Sequence, residues 1–558
     1  MQPLRLVLFC ALVCSLAFAA NPGRSSPVPA TAASDIPHLR QQGTATQLIV
    51  DGKPFLALAG ELLNNSATSV EHMKPIWPKL AASKFNTVLA GVSWDQIEPQ
   101  EGKYDFSVLD GIIRDARSHN LRLVLLWFGS WKNSLSSYAP LWLKKDFERF
   151  PRAQVAGGKS IELLSPFSDV NRDADARAFA ALMRHVKTVD GQQHTVIMIQ
   201  VENEVGMHGD SRDRSPAADR AFAGPVPKDL MGYLQKHKDT LIPEFRQVWE
   251  AAGFKTSGTW EEVFGESKVT DGFFMAWYIS RYIGHVAGAG KAEYPLPMFC
   301  NAALYGIGKG AIPSGGRPWD QVMDVWKAGA PQIDILSPDI YGDRDFVGFC
   351  ARYSQSGNPL FIPETGNGPT IAARALYAFG RHDAMGFSPF GIDRPDRLGN
   401  VPDLTGIYDL LSRMAPLISE HQGNGTMSAV LLNPKDPPQK IHLGDYTLEV
   451  AFWPIRYTMP LLMPGEPPQA TAPPAAAIFI RTGPDEYFAA GSGVKVMFST
   501  NTPGPPFAGL GTVEAGTFVN GRWVPDIRLA GDDTGQGQDL FELQRQMGIQ
   551  RFTLYRYR

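Results

Sequence analysis

From about residue 47 to residue 418 the chain alternates strand-length apolar runs with helical stripes, and that alternation leaves few folds open. Residues 48–50 and 55–58 flank Asp51-Gly52, a turn pair, so a small hairpin leads into a first core strand ending at Gly60-Glu61. Met73, Ile76, Trp77 and Leu80 then fall at i, i+3, i+4 and i+7, the stripe of a helix whose first turns Pro75 and Pro78 make irregular. Residues 87–94 predict a second strand and 121–127 a third, separated by the stripe Leu109, Ile112, Ile113, Ala116. Phe179, Leu182, Met183 and Val186 stripe the next helix, and the run from Val196 is the fourth strand. A long charged stretch, 210–271, holds helical pieces such as 230–237. Strands over 298–304, 333–341, 360–364 and 384–390 then bring the count to eight, and a helix over 404–418 follows. A β-α-β-α order predicts a parallel sheet with helices outside, and eight such units predict a closed (β/α)8 TIM barrel, α/β in class.

At 558 residues the chain is too long for one ordinary domain. The barrel accounts for 46–424. After about Gly425 the grammar changes: 446–453, 478–481, 494–498 and 552–557 are β-rich, and Asn520-Gly521 sits between Phe518-Val519 and Trp523 like a hairpin turn. Residues 425–558 are therefore expected to form an all-β, sandwich-like accessory domain, with the Pro-rich stretch 463–474 as a surface loop within it. At the other end, Arg5 precedes an apolar run over 6–18, and Ala17-Phe18-Ala19 supplies a small-x-small cleavage pattern. Residues 1–19 read as a signal peptide and 20–45 as a disordered leader. The expected location is periplasmic or secreted, with no spanning helix. Cys300 and Cys350, outside the signal, suit a disulfide or two buried thiols.

A net charge of −3 without a basic block argues against nucleic acid or an anionic membrane surface as partner. Eleven scattered His with no Cys or His cluster argue against a metal site, and nothing in the sequence calls for a cofactor. Chemistry is concentrated elsewhere. Residues 197–206, Ile-Met-Ile-Gln-Val-Glu-Asn-Glu-Val-Gly, are an apolar strand that ends abruptly in two carboxylates around an Asn. Phe361-Ile362-Pro363-Glu364-Thr365-Gly366 repeats the design with one Glu. In a barrel, polar residues at the carboxyl ends of strands sit where ligands bind, which singles out Glu204 and Glu364. Glu202 shares the strand parity of Glu204, so period-two alternation points both the same way, although its deeper position favours a structural role.

The segment Trp94-Asp95-Gln96-Ile97-Glu98-Pro99-Gln100-Glu101-Gly102-Lys103-Tyr104-Asp105-Phe106-Ser107, together with Glu202-Asn203-Glu204-Val205-Gly206, resembles glycoside hydrolase family 35, the β-galactosidases. The resemblance spans roughly residues 45 to 420. It implies a clan of barrel glycosidases with an Asn-Glu acid/base after strand four and a Glu nucleophile after strand seven. The carbohydrate substrate, the absence of a cofactor and the export of the enzyme agree with it, and an oligomer is compatible with it. Two motifs depart from the family. Gly91-Val92-Ser93-Trp94-Asp95-Gln96-Ile97-Glu98-Pro99 lacks the usual Tyr and His, and Phe128-Gly129-Ser130-Trp131-Lys132-Asn133 replaces the usual Cys-Ala-Glu-Trp sugar-binding run. β-Glucosidase or β-mannosidase activity, or carbohydrate binding without catalysis, are the rival expectations.

Glycoside cleavage needs two carboxyls flanking the bond, one protonated and one ionised. The resemblance gives Glu204 the acid/base role, with its proton held by like-charge repulsion, and gives Glu364 the role of ionised nucleophile. It also sets Asn203 against the sugar 2-hydroxyl and Tyr341 against the nucleophile, where the alternatives are a loop cap and a packing tyrosine. Among strand-end aromatics, Trp131 is the first candidate for stacking on a sugar face, followed by Trp94, Trp127 and Phe387. Asn301 is expected to line the site. Glu61 and Glu98 are expected to hold either a sugar hydroxyl or a neighbouring Arg.

Overall fold

All eight expected strands close into one barrel in the computed structural model of the protein, which describes residues 36–304, 315–342, 345–394, 402–453, 473–540, 543 and 547–558. The barrel strands are β1 (Ala57–Glu61), β2 (Thr87–Ser93), β3 (Arg122–Lys132), β4 (Val196–Asn203), β5 (Met298–Ala303), β6 (Ile335–Ile340), β7 (Phe361–Thr365) and β8 (Gly386–Pro389). Every neighbouring pair is parallel, and β8 returns to β1 to close the ring.

The continuous apolar character of the strands follows from burial on both faces. In β3, Leu123, Leu125 and Trp127 face the surrounding helices, whereas Val124, Leu126 and Phe128 fill the barrel interior with Ile197, Met198, Phe299 and Phe361. Each such side chain contributes about 1.5–3 kcal/mol on removal from water. Four helices bear on the site or its support: α1 (Asp169–Asp190), α2 (Lys268–Glu293), α3 (Ile371–His382) and α4 (Pro402–His421). α1 and α2 start where Ser168 and Ser267 accept the backbone N–H three residues on, and they pack on one another outside the barrel. The Pro75 irregularity is larger than a distorted first turn, since the stripe splits into Val70–Met73 and Trp77–Ala82.

The leader is shorter than expected. His38–Gln42 is already a strand, paired antiparallel with Ala45–Val50, and the amides of Gln42 and Gln47 both donate to Ser419 O at 2.7 Å. That pairing satisfies polar backbone which a run of Pro, Ser and Ala would leave to water. The expected signal peptide and residues 20–35 lie outside the described residues, as does most of the Pro-rich stretch. Among the described residues no helix is long and apolar enough to cross a membrane.

Beyond α4 two antiparallel sheets face each other. One has six strands in the order Met427–Leu432, Ala475–Arg481, Glu486–Ser492, Gly548–Tyr557, Phe507–Val519 and Arg522–Leu529. The other has three, Gln439–Leu443, Tyr446–Phe452 and Val494–Thr500. Leu432, Leu448, Phe479, Tyr487 and Phe552 form the apolar layer shared by both sheets. Asn520 and Gly521, at φ +51° and +74°, make the tight hairpin turn. Cys300 and Cys350 are free and buried, so the thiol alternative holds.

Candidate active site

The carboxyl ends of β4, β5, β6 and β7 bring one set of polar side chains together inside an otherwise apolar barrel. Asp339 on β6 is in register with Glu364 on β7, and Lys132 at the end of β3 is in register with Asn203 on β4. Single carboxylate oxygens of Glu204, Asp339 and Glu364 lie within 4.8 Å of one another, and all three residues are buried. These oxygens are the one set among the described residues with the spacing for a cation. Glu364 itself is met by three neutral donors.

Those donors orient Glu364. Tyr341 Oη donates to Oε2 at 2.7 Å, while Asn203 Nδ2 and Asn301 Nδ2 approach Oε1 at 3.2 and 3.3 Å. Burial, reinforced by the negative charge of Glu364, holds the Tyr341 phenol far above its ordinary pKa, so it stays a donor. Tyr341 as a residue is 44% exposed while its hydroxyl turns in onto the carboxylate. Asn203 spends its other end on a cation, accepting from Lys132 Nζ at 2.8 Å. Asn301 is a second two-sided amide: its Oδ1 accepts the Glu204 N–H at 2.9 Å, and its Nδ2 also donates to Asp339 Oδ2 at 2.8 Å.

Glu204 is fixed from the β3 side. Asn133 Nδ2 donates to its carboxylate, and Ser134 N and Oγ donate to its carbonyl at 3.1 and 3.2 Å. Four non-glycine residues here, Glu202, Glu204, Asn133 and Ser134, have φ between +43° and +62°. Left-handed backbone costs about 1–3 kcal/mol per residue and persists where surrounding contacts over-determine it, as they do here.

Glu61, at the end of β1, also belongs to the site. Burial first, then the charge of Glu364, raises its carboxyl well above the usual range, with Lys132 opposing. Neither Glu61 oxygen has a hydrogen-bond partner among the described residues. Asp339 is raised in the same way, by burial and then by Glu364 and Glu204. One buried ammonium, Lys132, thus stands among Glu61, Glu204, Asp339 and Glu364, and such an array is tenable only with some of the acids protonated.

The structure corrects the aromatic expectations. Trp131 is fully buried, donates Nε1–H to Gly206 O at 3.1 Å and packs edge-on against Tyr282, so it has no face for a sugar. Trp94 is equally buried and bonded to Glu98 at 2.7 Å; Trp127 bonds Asp175, and Phe387 packs against Phe346. All four belong to the apolar layer between strands and helices. Glu98 holds Trp94 and the Gly102 N–H, both at 2.7 Å, rather than an Arg or a hydroxyl. Glu202 does not follow Glu204, because the left-handed turn at Glu202 reverses the alternation and sends its carboxylate to the Gly129 and Trp131 amides. Three site residues escaped the sequence reading, Lys132, Asn133 and Asp339. Lys132 and Asp339 each stand at or next to the end of a strand, the address that singled out Glu204 and Glu364.

Parts of the chain are similar to known proteins. Residues 68–268 match the family model of glycoside hydrolase family 42, described as Beta-galactosidase, a span that includes Glu204 but not Glu364. Residues 404–541 match DUF5597, a domain of unknown function. A beta-galactosidase of Xanthomonas manihotis is 27% identical over 191 residues, 33% of this chain and 29% of that protein. The match therefore spans less than a third of that relative's length. Among solved structures, the cold-adapted beta-galactosidase of Rahnella sp. R3 aligns at 16% identity and TM-score 0.44, covering 66% of this chain and 57% of the other. The beta-galactosidase of Bacillus circulans sp. alkalophilus aligns at 15% and 0.44, covering 65% and 57%. Family 42 rather than family 35 is the match found, and residues 68–268 are similar to its β-galactosidase model.

Proposed function

We propose that the protein is a retaining exo-β-galactosidase that releases terminal β-galactosyl residues from oligo- or polysaccharide side chains. The observation that carries this reading is the spacing of Glu204 and Glu364, whose nearest oxygens lie within 4.8 Å. Retaining enzymes hold their carboxyls about 5 to 5.5 Å apart, whereas inverting enzymes leave about 6.5–9.5 Å for a water. Glu364, ionised and oriented by Tyr341, Asn203 and Asn301, attacks the anomeric carbon. Glu204 gives its proton to the departing glycosidic oxygen as that bond breaks. Glu204, now a carboxylate, then takes a proton from the water that cleaves the glycosyl–Glu364 ester. Asn203 and Lys132 face the side where the 2-hydroxyl would bind, and Glu61, with two unsatisfied oxygens, is suited to accept sugar hydroxyls. Export is proposed with it, on the signal pattern of residues 1–19.

The test is hydrolysis of a panel of nitrophenyl glycosides by wild type, Glu364→Gly and Glu204→Ala, with azide as external nucleophile. The reading expects β-galactosyl azide from Glu204→Ala and the α-anomer from Glu364→Gly. Cleavage of a glucoside or mannoside with the galactoside spared would keep the mechanism and replace the sugar. No cleavage on a broad panel would leave carbohydrate binding alone.

A further inference from the structure

The other glutamate of the Glu-Asn-Glu run belongs to a buried pair that the chemistry above does not use. Glu202 and Asp175, on α1, are both fully buried, with one oxygen of each beside Gly129. Asp175 is rich in donors. Trp127 Nε1 reaches its Oδ1 at 2.9 Å, and Ser130 N and Oγ reach its Oδ2 at 3.1 and 2.5 Å. Ser130 Oγ, having given its own proton to Asp175, accepts from the Tyr282 hydroxyl of α2 at 2.7 Å. Glu202 Oε2 accepts from Gly129 N at 3.2 Å and Trp131 N at 2.7 Å. Its Oε1 is buried and meets no N–H or hydroxyl donor among the described residues. That oxygen lies on the Asp175 side, since a Cβ placed on Gly129 would stand 2.6 Å from Glu202 Oε1 and 2.8 Å from Asp175 Oδ1. A buried carboxylate oxygen turned toward a second carboxylate is satisfied by a proton carried on one of them.

We propose that Glu202 and Asp175 share one proton, with Glu202 the acid and Asp175 the ionised acceptor, and that this pair is the positioning device that sets Asn203 and Glu204. The allocation follows the donors: three point at Asp175, and the free oxygen is on Glu202. Positioning follows from the chain path. The pair clamps residues 129–131, and the next three residues are those that touch the site, Lys132 on Asn203 and both Asn133 and Ser134 on Glu204. From the other side Glu202 is the immediate neighbour of Asn203, and its left-handed turn, φ +62°, is held by the same two amides. The titratable groups facing the pair are Tyr282 from α2 and Cys300 from β5, with Arg172 of α1 acting on Tyr282. Neither acid takes an ion-pair partner among the described residues. Two charges in this enclosure would repel without compensation, and two protons would leave the three donors at Asp175 without an anion. The inference about positioning rests on the reading of Glu204 as acid/base, whereas the shared proton does not.

The test compares Glu202→Gln and Glu202→Leu with wild type. Gln keeps an oxygen for the two amides and an N–H for Asp175, so kcat should stay within about 3-fold of wild type; Leu removes both, and kcat should fall more than about 30-fold with KM little changed. A second readout needs no activity. Burial, then Asp175, raises the Glu202 carboxyl well above its ordinary value. The stability this acid contributes is therefore full below the ordinary carboxylate range and is lost as pH rises toward the folded value. Gln does not titrate. The Tm of Glu202→Gln relative to wild type must then climb as pH rises above the ordinary carboxylate range, by up to tenfold in the unfolding equilibrium per pH unit. A difference independent of pH overturns the shared proton. Equal loss of kcat in Gln and Leu variants that remain folded overturns the positioning role. If wild type cleaves no glycoside while the pH-dependent climb is seen, the acid/base reading fails and the shared proton stands.

Discussion

Replacing Tyr341 by Phe isolates one hydrogen bond at the centre of the proposed chemistry. Its hydroxyl donates to Glu364 Oε2 at 2.7 Å, the shortest of the three contacts on that carboxylate; Asn203 and Asn301 share Oε1 at 3.2 and 3.3 Å. Hydrogen bonds to a charged group are worth about 1.5–3 kcal/mol net, which corresponds to about 10- to 150-fold in rate if the bond is needed in the transition state. The figure belongs to the upper part of that range, because the remaining donors both serve Oε1 and Oε2 is left bare. Stability should change little, since the residue is 44% exposed and Phe keeps its packing. The assay is kcat/KM on aryl β-glycosides with good and poor leaving groups, alongside a thermal melt. A loss below about 3-fold with an unchanged melt would refute the assignment of Tyr341 as the group that orients the nucleophile.

Gly129→Ala puts a methyl within 2.6–2.8 Å of Glu202 Oε1 and Asp175 Oδ1, so urea unfolding should show a loss of about 1–3 kcal/mol. Trp131→Phe removes the Nε1–H bond to Gly206 and packing volume, so it should lower the melting temperature while leaving KM for small aryl glycosides within about 3-fold. Burial pushes the Asp383 carboxyl up to about 6. A raised folded value means that stability is present below the ordinary carboxylate pKa and is lost as pH rises through about 6. Asp383→Asn should therefore gain on wild type by about 1–3 kcal/mol between pH 4 and pH 7.5, measured by denaturant unfolding, and a constant difference would contradict this.

The barrel was legible in the sequence because its determinants are periodic. Buried strands read as continuous apolar runs, helices as 3.6-residue stripes, and all eight strands fell near their predicted places. The acid pair was legible for a related reason, as a break from apolar to charged at a strand end. What could not be read is local geometry that overrides the period. A left-handed φ at Glu202 sends its side chain away from Glu204, and no alternation rule anticipates a non-glycine residue there. Trp94, Trp127, Trp131 and Phe387 share a strand-end address with the site, yet their side chains fall outside the barrel, where helices cover them. Lys132 and Asp339 escaped because a charge near a strand end carries no period. Their meaning lies in register with Asn203 and Glu364, a relation that exists only after the ring has closed.

α3 docks on the six-stranded sheet so closely that a Cβ at Gly380 would lie 2.7 Å from Ile478 and 2.8 Å from Ala429. Leu431, Ile478, Ile480 and Phe488 of that sheet belong to the same apolar cluster as the barrel helices, not to the core between the two sheets. A barrel cut at residue 425 would bare this face to water, so the accessory sheets act as an outer wall of the barrel. The span matched by DUF5597 begins at residue 404, inside the last barrel helix. The closing helix thus belongs both to the barrel and to the matched span, and the two parts share one apolar core.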